Sequence, residues 1–242
     1  PSSTFSRCER LKEIIFPDSL LEIGNQAFYG TALENVELPL NVHTIGSEAF
    51  SGCKYLESVD LPESIRTISS HAFADCSSLK NVSLPSKLNS ISDYCFQNCE
   101  SLEVVHILEN ITEIGVRAFD NCKKLSSVIL PDKLESIGQE AFHNCDALTS
   151  ITIPSRITSL PSAIFFSCNN LTTVNLPKSL YSIGTKAFAH CYSLESMIDL
   201  SAITSISERA FSNCTKLKNV VIPDNVTSLG TYVFENCEAN SK

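Results

Sequence analysis

The sequence predicts an α/β repeat solenoid, and three features of its 242 residues predict it. Phe returns about every 23 residues along the whole chain, Cys follows three residues behind it, and an alternating apolar segment ending in Leu-Pro precedes the next Phe. Such self-similarity means that each repeat is one coil which cannot bury its own apolar face and must stack on its neighbours.

The Phe ladder runs through Phe5, Phe28, Phe50, Phe73, Phe96, Phe119, Phe142, Phe165, Phe188, Phe211 and Phe234, with steps of 23 apart from one of 22 between Phe28 and Phe50. Eleven of the 13 Phe residues therefore hold one structural position, which predicts a buried Phe spine. The Cys ladder (Cys8, Cys53, Cys76, Cys99, Cys122, Cys145, Cys168, Cys191, Cys214, Cys237) lacks one rung, beside the short stretch Phe28-Tyr29-Gly30-Thr31-Ala32.

After each Cys comes a Leu, then Val or Ile three residues on, then Leu-Pro, as in Leu56, Val59, Leu61 and Pro62. Leu-x-x-Val-x-Leu alternates as a strand with one buried face does, and Pro, lacking an N–H, ends it. An Ile-Gly or Ile-Ser pair such as Ile45-Gly46 or Ile68-Ser69 closes the repeat. The stretch from Ile-Gly to Cys is too short for a sizeable helix and is expected to form a short strand followed by a helical or 3₁₀ turn. The expected architecture is one right-handed, curved solenoid over 1–242, of about ten coils and with its ends inside repeats. A parallel sheet would line its concave side and short strands and turns its convex side.

Written out, the repeat is Leu-x-x-Val-x-Leu-Pro-x-x-Leu-x-x-Ile-Gly-x-x-Ala-Phe-x-x-Cys, and Leu125 to Cys145 shows it in full. This resembles the consensus of the BspA-like leucine-rich repeats, and the resemblance covers essentially the whole chain. Members of that family occur on the surfaces of anaerobic bacteria and in parasitic protists. The resemblance implies adhesion to host cells, matrix proteins or other microbes, and a cell-surface or secreted location. Departures occur at Cys95, Leu108, Leu160-Pro161 and around Asp199-Leu200, where a local bend or bulge is expected.

Composition narrows the function. The formal charge is −9, with 27 acidic against 18 basic residues, which argues against a nucleic-acid or anionic-membrane surface. No apolar run approaches the roughly 20 residues that span a bilayer. The cysteines recur once per coil and none forms Cys-x-x-Cys, so they are expected to be structural, without disulfides or metal. His43, His71, His106, His143 and His190 sit at different repeat positions, and no phosphate loop, zinc-protease or nucleophile-elbow motif is present. Neither catalysis nor a cofactor is expected. The five Asn-x-Ser/Thr sites, starting at Asn81, Asn110, Asn170, Asn213 and Asn225, are what abundant Ser and Thr supply on their own.

A protein ligand is the expected partner, with the chain itself a monomer or a weak end-to-end associate. The expected surface is the outward side of the Leu-x-x-Val strands, one, two and four positions after each first Leu. There the early coils place an acidic cluster of Glu34, Glu37, Glu57 and Asp60. Later coils place the hydroxyl-rich strip Ser127, Ser150, Thr152, Thr173 and Asn175, together with His106. Ile15, Val104, Ile129, Ile198 and Val221 add apolar side chains. The cluster predicts a ligand with basic character opposite the early coils. An intracellular scaffold using the same surface is the alternative.

Overall fold

The computed structural model describes residues 1–195, 199–218 and 220–238. Seventeen short strands alternate along it in two series. The Leu-x-x-Val segments form β2 (Asn35–Glu37), β4 (Ser58–Asp60), β6 (Asn81–Ser83), β8 (Val104–His106), β10 (Ser127–Val128), β12 (Ser150–Thr152) and β14 (Thr173–Asn175). The Ile-Gly segments form β1 (Glu22–Ile23), β3 (Thr44–Ile45), β5 (Thr67–Ile68), β7 (Ser90–Ile91), β9 (Glu113–Ile114), β11 (Ser136–Ile137), β13 (Ser159–Leu160), β15 (Ser182–Ile183), β16 (Ser205–Ile206) and β17 (Ser228–Leu229).

All strand pairing is parallel and joins equivalent residues of neighbouring coils, such as Val36 to Val59 and Ile23 to Ile45. Five strands from β2 to β10 make one sheet, and β12 pairs with β14. The Ile-Gly series splits into β1–β3–β5, β7–β9–β11 and β13–β15–β16–β17. Both splits have local causes. Elsewhere the amide after the Ile donates to the Ile carbonyl of the preceding coil, as Gly115 does to Ile91. Pro161 has no N–H to donate. At Ser92 the hydroxyl, not the amide, reaches the Ile68 carbonyl, at 2.6 Å.

The remaining side of each coil corrects the α/β expectation. Among the described residues no helix forms, and the structure is a β-solenoid. Among the described residues twenty non-glycine residues and the two glycines Gly30 and Gly52 have positive φ, two in each coil, at the positions two before and two after the Phe. Asn121, for example, has φ 63° and Arg117 φ 52°. A left-handed residue every fourth position stops helical hydrogen bonding and turns alternate amides outward along the stack. Phe28, Phe50, Phe96 and Phe119 thus donate to the carbonyls of Ala49, Ala72, Ala118 and Ala141 in the next coil, at 2.8–2.9 Å. The intervening amides close three-residue turns, as from Ala27 to Gly24. The position two after the Phe is filled mostly by Asn (Asn98, Asn121, Asn144, Asn213, Asn236), Asp75 or Gly (Gly30, Gly52), the residues that tolerate this conformation best.

Inside the coils the Phe rings form the expected spine. From Phe5 to Phe234 consecutive rings lie 5.2–5.8 Å apart and within 17° of parallel. From Phe50 to Phe211 they are buried. The Leu, Val and Ile of both strand series pack around them.

Candidate protein-binding face

The strand series from β2 to β14, a five-stranded sheet followed by the β12–β14 pair, is built so that one side is committed to the core. Its Val or Ile is buried in every strand, which forces the flanking residues outward. Glu34, Glu37, Glu57, Asp60, Val104, His106, Ser127, Ile129, Ser150, Thr152, Asn175 and Val221 are all exposed, and Thr173 is half-buried. Val221 lies beyond the last strand of this series. Ile198 lies outside the described residues.

Ile15 and Ile129 are bare, at 95% and 76% exposure. The hydroxyl strip is knitted across coils, with Asn175 donating to Thr152 Oγ1 at 3.0 Å. The early acidic cluster is smaller than its sequence count. Lys12 Nζ lies 2.9 Å from Glu34, and Lys80 Nζ 2.7 Å from Glu57. The hydrogen bond and charge of Glu34 hold the Lys12 ammonium above its ordinary value. Glu37 and Asp60, in register across β2 and β4, carry no such ion pair among the described residues. Lys12 and Lys80 hold the Glu34 and Glu57 position in other coils, one coil away, so the repeat spacing itself pairs the charges.

The Cys ladder has one chemical task. Each Sγ–H from Cys53 to Cys237 donates to the carbonyl of the Phe in the coil before it, at 3.0–3.3 Å. The missing rung is filled by Thr31, which is buried with Oγ1 3.2 Å from Cys53 Sγ. The residue that the short repeat lost therefore falls after the rung, not at it. Burial pushes the Cys168 thiol up to about 12, and those of Cys76, Cys99, Cys145 and Cys191 well above their ordinary value. Protonated, inward thiols are poor nucleophiles. Cys95 takes the place of Ala, accepting from the Phe73 amide at 3.0 Å.

The sequence matches the BspA type leucine rich repeat region over residues 1–126 and 112–241. The chain belongs to the BspA-type leucine-rich-repeat family. It is similar to a leucine-rich repeat protein from Bacteroides ovatus, with 32% identity and a TM-score of 0.80 over 97% of this chain and 67% of that one. A leucine rich cell surface protein from Faecalibacterium prausnitzii is 31% identical, with a TM-score of 0.62 over 92% of this chain and 69% of the other. The pneumococcal vaccine antigen PcpA shares the fold at 21% identity, with a TM-score of 0.62 over 90% of this chain and 65% of its own. A comparison with curated proteins finds no match.

In this BspA-type solenoid the turn side also carries ordered side-chain rows that reading the sequence residue by residue missed. His143 Nδ1 lies 2.6 Å from Asp120 Oδ1, and Gln97 donates to the other Asp120 oxygen at 2.9 Å. Phe166 continues that row beside His143. These four residues each follow a spine Phe, so aligning the repeats in register would have put them in one line.

Proposed function

We propose that the chain is a non-enzymatic adhesion module that binds a protein ligand through the outward side of the β2–β14 sheet, at the cell surface. The observation that carries this reading is the sheet itself. Its backbone is fixed from both sides by neighbouring coils, and it displays bare Ile129 and partly exposed Val104 among acids, hydroxyls and His106, with bare Ile15 on the coil before β2. Apolar side chains set in a polar, rigid surface are what a protein partner can bury with specificity. A surface location is supported by the Faecalibacterium relative, a leucine rich cell surface protein. Glu37 and Asp60, free of ion pairs among the described residues, favour a ligand with basic groups opposite the early coils.

The test has two arms. An antibody against the chain is applied to intact and to permeabilised source cells, and staining of intact cells is expected. The purified chain is then bound to immobilised host cells and matrix, beside Ile129→Asp and the Glu37→Lys/Asp60→Lys pair. Binding that both variants leave unchanged removes this face as the site, and staining only after permeabilisation removes surface adhesion.

A further inference from the structure

On the turn side, the residues two before each Phe form a row in which neighbours satisfy one another. Gln26 donates to Glu48 at 3.1 Å, His71 stacks on Tyr94 at 4.4 Å, Arg117 binds Glu140 and Arg209 covers the Tyr232 ring at 4.9 Å. Ala163 breaks this row. It takes the same left-handed conformation, φ 54°, without the polar side chain that would pair with a neighbour. That leaves Glu140 and Lys186 two coils apart, roughly 9–10 Å by strand spacing, beyond ion-pair reach. Between them lies a hollow of about 320 Å³.

The walls of this hollow differ in chemistry. Glu140 is neutralised by Arg117 Nη2 at 2.5 Å and is held in place. His143 is fixed through Nδ1 by the buried Asp120, which leaves Nε2 for a ligand. The Phe166 ring stands between His143 and His190, 5.2 and 5.1 Å from their centroids. Opposite, Thr185 and Lys186 line the rim, and Lys186 has no ion pair among the described residues. The open edge of a half-buried aromatic ring, one unpaired cation, a hydroxyl, an imidazole nitrogen and a neutralised carboxylate are complementary to a pyranose that bears an acid group. The sugar's C–H groups meet the apolar edge of Phe166 while its hydroxyls meet fixed polar atoms.

We propose that this hollow binds a single acidic sugar, a hexuronate or a sialic-type acid. Its carboxylate sits on Lys186, its ring against Phe166 and its hydroxyls on Glu140 and His143. A carboxylate side chain of a peptide would satisfy Lys186 but bring no hydroxyls to His143 Nε2 and the Glu140 carboxylate, so the sugar fits the walls better. The site lies on the turns, away from the β2–β14 face, and does not depend on that face being a protein-binding surface.

The experiment is a titration of the whole chain with glucuronate and with N-acetylneuraminate, followed by saturation-transfer NMR and calorimetry. Glucose serves as the neutral control and a capped Glu-Glu peptide as the acidic one. Saturable binding of at least one acid is expected, with Kd on the order of 1 mM or tighter and roughly ten-fold weaker binding of glucose. Ala163→Gln refills the row with a residue that it already holds, at the same φ, at Gln26. Lys186→Gln removes the cation on an exposed side chain and leaves the core untouched. Each should weaken binding about ten-fold or more with the melting temperature unchanged. No saturable binding of either acid, equal binding of glucose, tighter binding of the peptide, or indifference to Lys186→Gln would each overturn the proposal.

Discussion

The thiol ladder makes the stability of the solenoid sensitive to alkali. Seven cysteines from Cys76 to Cys191 are buried, and burial raises each thiol well above its ordinary value near 9. A raised acid holds its proton in the folded state and releases it in the unfolded state. The stability that the neutral thiol contributes is thus complete below about pH 9 and drains away as pH rises towards the folded value. For Cys168 that window runs from about 9 to about 12. Each thiol costs about 1.4 kcal/mol one pH unit above its unfolded value, so seven together cost roughly 10 kcal/mol near pH 10. That equals a whole domain's typical stability of about 5–15 kcal/mol.

The assay is urea unfolding followed by circular dichroism at about pH 8, 9 and 10 under reducing conditions. Tyrosines and lysines also titrate there, so the decisive quantity is a difference. A Cys99→Thr/Cys122→Thr/Cys145→Thr variant keeps a donor at each rung, as Thr31 does naturally, and removes three titrating groups. Between pH 8 and 10 it should lose about 4 kcal/mol less than the parent chain. Parallel losses in the two proteins, or a parent whose stability is flat over that range, would refute the reasoning.

Other consequences are checked the same way. Phe119 stacks on Phe96 at 5.6 Å and on Phe142 at 5.5 Å, so Phe119→Ala should cost about 3–5 kcal/mol, while Phe119→Leu should lose mainly the two stacks, about 1–3 kcal/mol. Phe5, partly buried and stacked on one ring of the spine, should cost clearly less than Phe119 when replaced by Ala. At the Cys122 rung, Ala should cost about 1 kcal/mol more than Thr in urea titrations, because the Phe96 carbonyl loses its thiol donor. Iodoacetamide at neutral pH should label the exposed Cys8 quickly and leave Cys76 to Cys191 unlabelled, as read by mass spectrometry of peptides.

Periodicity carried the reading of the fold because a solenoid core is made of repeated neighbours: once Phe and Cys hold one position per coil, stacking is the only way to bury them. The helical turns were misread for a reason local to the backbone. Phe-x-Asn-Cys looks neutral as composition, yet Asn98, Asn121 and Asn144 mark left-handed residues, and these exclude a helix. The outward side of the sheet was legible because the strand period of two leaves no choice of face. Its charge was not, since Glu34 and Glu57 are read correctly only with Lys12 and Lys80, each one coil away in sequence but adjacent in space. The hollow at Ala163 was hidden for a related reason. An Ala among varied residues carries no signal by itself; it becomes visible only when it interrupts a row whose other members pair with their neighbours. In a repeat protein the core is written in what recurs, and binding chemistry is written in what fails to recur at a fixed position.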